Sequence, residues 1–138
     1  MASEDIAHIT AELEIRSLIA RIAMLADHGE LDEYIDQFTE DSVWDFPGGA
    51  RRGRDDIRAG AEQRRSDGVT GPGSGTRHVI TTVSVQVDGP ETARANSYFL
   101  FFQNAGTVPT IFNMGLYQDD FVRDDAVWRL ARRGITLG

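Results

Sequence analysis

Gly75-Thr76-Arg77-His78-Val79-Ile80-Thr81-Thr82-Val83-Ser84-Val85 is where the chain changes character. A glycine-rich run, residues 68–75, ends there, a β-branched stretch begins, and a histidine sits on the boundary. β-branched side chains fit a pleated surface, so residues 76–88 read as a long strand. Three more candidates follow at 92–104, 109–123 and 126–137, separated by Asp88-Gly89-Pro90 and Arg123-Asp124-Asp125, both suited to hairpin turns. In the third of the four strands Phe112, Met114 and Leu116 alternate with Asn113, Gly115 and Tyr117, the pattern of a half-buried antiparallel strand.

Upstream of the glycine-rich run the periodicity is helical. Ser3 is placed to cap a helix that runs to about Asp27, with Glu4 and Asp5 at the positive end of its dipole. Ile6, Ile9, Leu13, Ile15, Leu18, Ile19, Ile22 and Leu25 supply its apolar stripe, Arg16 and Arg21 face water, and Gly29 ends it. Residues 30–38 predict a short second helix, 39–41 a turn, 42–46 a strand stopped by Pro47-Gly48-Gly49, and 51–53 its partner strand. Residues 55–65 form a third helix, acidic first and basic last. The run 68–75 has almost nothing to bury and is expected to be a mobile lid or entrance loop.

Helices first and long antiparallel strands last imply an α+β fold, with helices packed on one face of a strongly curved, mainly antiparallel sheet. Such a sheet wrapped round a long helix makes a cone with an interior, and a pocket of that kind is apolar with a few convergent polar groups. The 138 residues are read as one domain, 1–138. Zero cysteines exclude thiol catalysis and disulfides. The N-terminus lacks signal-peptide character and no apolar run reaches the roughly 18 residues of a membrane span, so the expectation is a cytoplasmic protein without a membrane partner. With 22 acidic against 14 basic residues, net charge −8, nucleic acid is not an expected partner. The basic clusters Arg51-Arg52-Gly53-Arg54 and Arg129 with Arg132-Arg133 are expected to pair with local carboxylates or hold a small anion.

Two distant residues invite a chemical reading. Asp27 ends the first helix, at the negative end of its dipole, where an acid is unfavourable unless it has a specific partner. His78 begins the first long strand. A neutral imidazole, with a reference pKa of about 6.5, is a competent base near neutral pH, and a carboxylate on its other nitrogen fixes the tautomer. Taken alone, each is also read as ordinary: a helix-end acid and a strand-edge histidine bonded to backbone. His8 and His28 are expected on the surface, and no metal or cofactor site is expected.

The ordered set Ile15-Arg16-Ser17-Leu18-Ile19-Ala20-Arg21, Asp27 with Leu31, Tyr34 and Phe38, Asp41-Ser42-Val43-Trp44, Gly53 with Ile57, Arg77-His78, 115–123 and 128–133 resembles the SnoaL-like branch of the nuclear-transport-factor-2-like superfamily. That resemblance implies an α+β cone and a homodimer or homotrimer. Within the superfamily, the placing of Asp27 and His78 is similar to scytalone dehydratase, bile-acid dehydratase and hexachlorocyclohexane dehydrochlorinase, in which an Asp orients a His that removes a carbon-bound proton. An arginine matching Arg133 belongs to the site in the latter two. Where those enzymes carry a Lys or Tyr that assists the leaving group this chain has Ile22, and where the dehydratases carry a further Asp or His it has Phe101.

The resulting expectation is a cofactor-independent lyase or isomerase acting on a small apolar, aromatic, polyketide- or steroid-like molecule. His78 is the base, Asp27 its orienter and Arg133 an anion stabiliser. Tyr34, Trp44, Phe46, Phe101, Phe112 and Met114 are the expected pocket walls, with Phe99 a further candidate, and Asn96, Tyr98, Asn113 and Tyr117 the candidate polar contacts. A non-catalytic ligand-binding or assembly domain, and a hydrolase activating water with the same dyad, are the alternatives.

Overall fold

The computed structural model describes residues 2–138. Its elements are α1 (Ala2–His28), α2 (Leu31–Asp36), β1 (Phe38–Phe46), β2 (Gly49–Arg52), α3 (Arg54–Ser66), β3 (Arg77–Val87), β4 (Thr92–Gln103), β5 (Thr110–Asp124) and β6 (Val127–Leu137). They form one six-stranded sheet in the order β2-β1-β6-β5-β4-β3. All neighbouring pairs are antiparallel except β1 with β6. The sheet curls around the helices without closing, so β2 and β3 remain its edges. Register shifts bend it, in β3 between Thr81 and Val83, where Thr82 has φ 54°, and in β5 opposite Phe101 and Phe102.

Only part of the expected stripe on α1 is buried. Ala11, Ile15, Leu18, Ile19 and Ile22 pack into the core, whereas Ile6, Ile9, Leu13 and Met24 are at least half exposed. At about 100° per residue, Ile6 and Met24 lie half a turn round from Ile15, so the chain carries two apolar stripes and the sheet covers one. Ser3 lies within α1 rather than capping it. The expected turn at 39–41 is strand instead: β1 starts at Phe38, which is fully buried and opposite Leu130 of β6, so pairing begins as soon as α2 ends.

The core occupies one half of the sheet. There Ala93, Ala95, Phe121, Trp128 and Leu130 meet α1, together with Phe38 and Ile57. In the other half the strands run on beyond the core, and their inward side chains face a cavity.

Candidate active site

Asp27 lies in the last turn of α1 and is 3% exposed. The helix end is closed by Arg65 of α3, which donates to the carbonyls of Gly29 at 2.9 Å and Leu25 at 3.0 Å. A cation therefore sits at the negative end of the dipole, and the last carbonyls have partners. The Asp27 carboxylate reaches across to the first turn of β3. It accepts the His78 backbone N–H at 3.2 and 3.0 Å, and His78 Nδ1 lies 2.7 Å from Oδ1. In the neutral imidazole, a proton on Nδ1 directed at this carboxylate leaves the lone pair on Nε2. The imidazole packs against Phe101, ring centres 4.7 Å apart, and lines the cavity.

That cavity has a volume of about 370 Å³, within the range that holds a small organic ligand. Its floor crosses the sheet: Trp44 on β1, Arg133 on β6, Tyr117 on β5, Phe99 and Phe101 on β4, and His78 on β3. Tyr34, Phe46 and Phe112 complete the expected walls, and Ile22, Ala23 and Ala26 of α1 form the roof. Met114 is different. It is about half exposed on the outer face, and the inward positions of β5 are Gly115, Tyr117 and Asp119. Over residues 113–117 of β5 facing runs opposite to hydrophobicity: the cavity side carries Asn113, Gly115 and Tyr117, and the outer side Met114 and Leu116. Phe112 reaches the cavity because it has no partner in the register: Phe101 pairs with Asn113 and Phe102 with Ile111. Asn113 and Tyr117 face the cavity, whereas Asn96 and Tyr98 lie on the outer face.

Arg133, the expected anion stabiliser, points inward at 3% exposure. Its Nε and Nη2 hold both oxygens of Asp119 at 2.8 and 2.9 Å, which leaves Nη1 as the edge that Asp119 does not engage. Burial lowers its pKa, but the charge and hydrogen bonds of Asp119 outweigh this and hold the guanidinium firmly protonated. Its Cζ lies 3.9 Å from the Tyr117 ring centre and 5.7 Å from that of Trp44, and Tyr117 in turn stacks on Phe99 at 4.4 Å. Burial, opposed by Arg133, pushes the Tyr117 hydroxyl up to about 12. Burial also raises Tyr34, against the pull of Arg64 beside it. Both phenols therefore keep their protons at neutral pH.

Residues 68–75, expected to be a loose lid, are tied down. Val69 N–H donates to Arg64 O at 2.8 Å, Ser74 Oγ to Gly71 O at 2.7 Å, and Ala105 N–H to Gly75 O at 2.9 Å. Val69 and Thr70 form one side of the cavity. His8 and His28 are exposed, and among the described residues no three His, Asp or Glu side chains gather as a metal-binding group. No described helix is long and apolar enough to cross a membrane. Phe99, a candidate wall from the sequence, lines the cavity. Sequence reasoning missed Asp119; register was the signal, since it lies two residues from the inward-facing Tyr117.

A family model for the SnoaL-like domain matches residues 7–134. The chain belongs to the SnoaL-like domain family. Solved structures share the fold. An NTF2-like protein with a cystatin-like fold from Novosphingobium aromaticivorans is 26% identical with a TM-score of 0.87, covering 99% of this chain and 87% of that one. A candidate scytalone dehydratase from the same organism is 18% identical with a TM-score of 0.78, over 96% of this chain and 87% of that one. ActVI-ORFA from Streptomyces coelicolor is 23% identical with a TM-score of 0.74, over 92% and 97%. No curated protein matches the sequence.

Proposed function

We propose that this SnoaL-like protein is a cofactor-independent lyase or isomerase that removes a carbon-bound proton from a small aromatic, polyketide- or steroid-like substrate. The observation that carries the reading is the 2.7 Å contact between Asp27 and His78 Nδ1 at the wall of a half-open, mainly apolar cavity. Nε2 of His78 takes the proton, and the imidazolium that forms is stabilised by the Asp27 carboxylate. The electron pair left on the substrate moves onto an adjacent carbonyl oxygen, towards Nη1 of Arg133 and the protonated hydroxyl of Tyr117. Reprotonation at another carbon by His78 completes an isomerisation; loss of a β-hydroxyl completes a dehydration. Ile22 and the position of Phe101 supply no acid for a leaving group, so that proton comes from His78 itself or from Tyr34 or Tyr117. The naming of one fold relative as a candidate scytalone dehydratase agrees with this reaction class.

The test is a turnover screen of wild type beside His78→Ala on β-hydroxy carbonyl compounds, enones and epoxides in deuterated water. Deuterium incorporation or elimination by wild type, falling by roughly 10²–10⁴-fold in the variant, is the expected result. Diol formation from an epoxide without exchange at carbon identifies water activation instead. Ligand binding with no turnover, unchanged in His78→Ala, identifies a binding domain and overturns the lyase reading.

A further inference from the structure

Among the described residues the cavity wall contains Arg51, Arg64, Arg65 and Arg133 and no carboxylate, in a chain whose net charge is −8. Three of these cations are committed. Arg133 holds Asp119, Arg51 Nη1 donates to Asp56 at 3.0 Å, and Arg65 caps α1. Arg64 is not: among the described residues no carboxylate pairs with it. Its guanidinium lies 5.9 Å from the Trp44 ring centre and beside the Tyr34 hydroxyl.

Gly60 explains how it is held there. A glycine inside a helix weakens it, yet Gly60 stands in the middle of α3. A Cβ at that position would come within 3.0 Å of Arg51 Nε and 3.2 Å of Arg64 Nη1. The missing side chain is the space into which both guanidinium groups converge. Two guanidiniums against the one carboxylate of Asp56 leave a single unbalanced positive charge, which suits a monoanion. The planar groups Arg64, Trp44, Arg133, Tyr117 and Phe99 then follow one another across the floor. This cationic end lies over β1, and His78 lies on β3 at the opposite edge of the sheet.

We propose that Arg64, supported by Arg51 over Gly60, binds the carboxylate of a substrate lying lengthwise across the sheet with its reacting carbon at His78. The substrate class is thereby an aromatic or fused-ring carboxylic acid whose carboxylate is remote from the proton removed. This rests on the cavity being the substrate site, as proposed above, but not on the dyad being catalytic, and binding rather than turnover is therefore the measurement.

The probes are 2-naphthoate, its uncharged methyl ester, and 2-naphthyl phosphate, titrated calorimetrically into the full chain. Wild type is expected to bind the acid roughly 10- to 100-fold more tightly than the ester, the worth of a charge-assisted hydrogen bond. Arg64→Gln abolishes the preference by weakening the acid and leaving the ester unchanged. Gly60→Ala, a substitution that favours the helix, also weakens only the acid and leaves the protein folded at least as stably. His78→Ala retains the preference, so loss of catalysis and loss of anion binding are read separately. Equal binding of acid and ester by wild type, absence of acid binding at millimolar concentration, or a preference that survives Arg64→Gln would overturn the assignment. Tighter, Arg64-dependent binding of the phosphate would overturn the monoanion class.

Discussion

Asp27 accepts two different donors from His78, a backbone N–H and a ring N–H, and the two have separable consequences. In Asp27→Ala both lose their acceptor in a buried site, and the expected cost is about 1–3 kcal/mol of stability. Asp27→Asn keeps a carbonyl oxygen for the backbone N–H but offers an amide in place of the second carboxylate oxygen and no charge for the imidazolium. Its denaturation midpoint is expected near wild type while turnover falls about as far as in His78→Ala, by roughly 10²–10⁴-fold. An Asp27→Asn protein that retains full turnover removes Asp27 from the mechanism. Tyr117 carries the alkaline limit. The unfolded chain releases this proton near pH 10, whereas burial holds it to about 12 in the folded state. Between those values the unfolded state binds fewer protons, so stability falls as pH rises, by up to about 2–3 kcal/mol, and is unaffected below pH 10. Urea denaturation at pH 8 and 11 should show this loss in wild type and a smaller one in Tyr117→Phe.

Among the elements, β5 and β6 depend on a close approach. A Cβ on Gly115 would lie 2.1 Å from Thr136 O and 2.7 Å from the Phe99 ring, and neither backbone nor packed ring can yield cheaply. Gly115→Ala is expected to cost about 3 kcal/mol or more and to disturb the Phe99–Tyr117 stack of the cavity floor; a melting temperature within a degree or two of wild type contradicts that contact. Element types and most boundaries were legible because each is a local property: helical spacing in 3–27, β-branched runs from 76 onward, glycine and proline between them. The residues at 39–41 were not, because Phe38 decides their state by pairing with β6, almost a hundred residues away in the chain. Nor was the facing of β5. Met114 and its alternates Asn113 and Tyr117 were all candidates for the cavity, and the inner row proved to be Gly115, Tyr117 and Asp119. A strand between an outer apolar face and a partly polar cavity inverts the usual code.

For the whole molecule, that inversion leaves an apolar patch on the outer surface. Val79, Leu100 and Met114 stand side by side across β3, β4 and β5, next to Tyr98, and Val79, Tyr98 and Met114 are each more than two-fifths exposed. Patches of this kind mark interaction surfaces, and we propose that two copies associate through this face. Light scattering after gel filtration should give a multiple of the monomer mass for wild type and a shift towards monomer for Met114→Glu, with the cavity on the opposite face unaffected. An unchanged mass in that variant places the contact elsewhere.

By itself the sequence determined the α+β order of elements, the lengths of the four long strands, and, through its SnoaL-like resemblance, the pairing of Asp27 with His78 across fifty-odd residues. These rest on periodicity and on ordered motifs, which survive in one dimension. Only the tertiary structure decided which side of each strand faces inward, that Arg133 is buried against Asp119, and that Arg64 lines the cavity while pairing with no carboxylate among the described residues. Those outcomes depend on register and on which charges meet after folding, and two arginines converging over a glycine four residues from one and nine from the other are adjacent only in space.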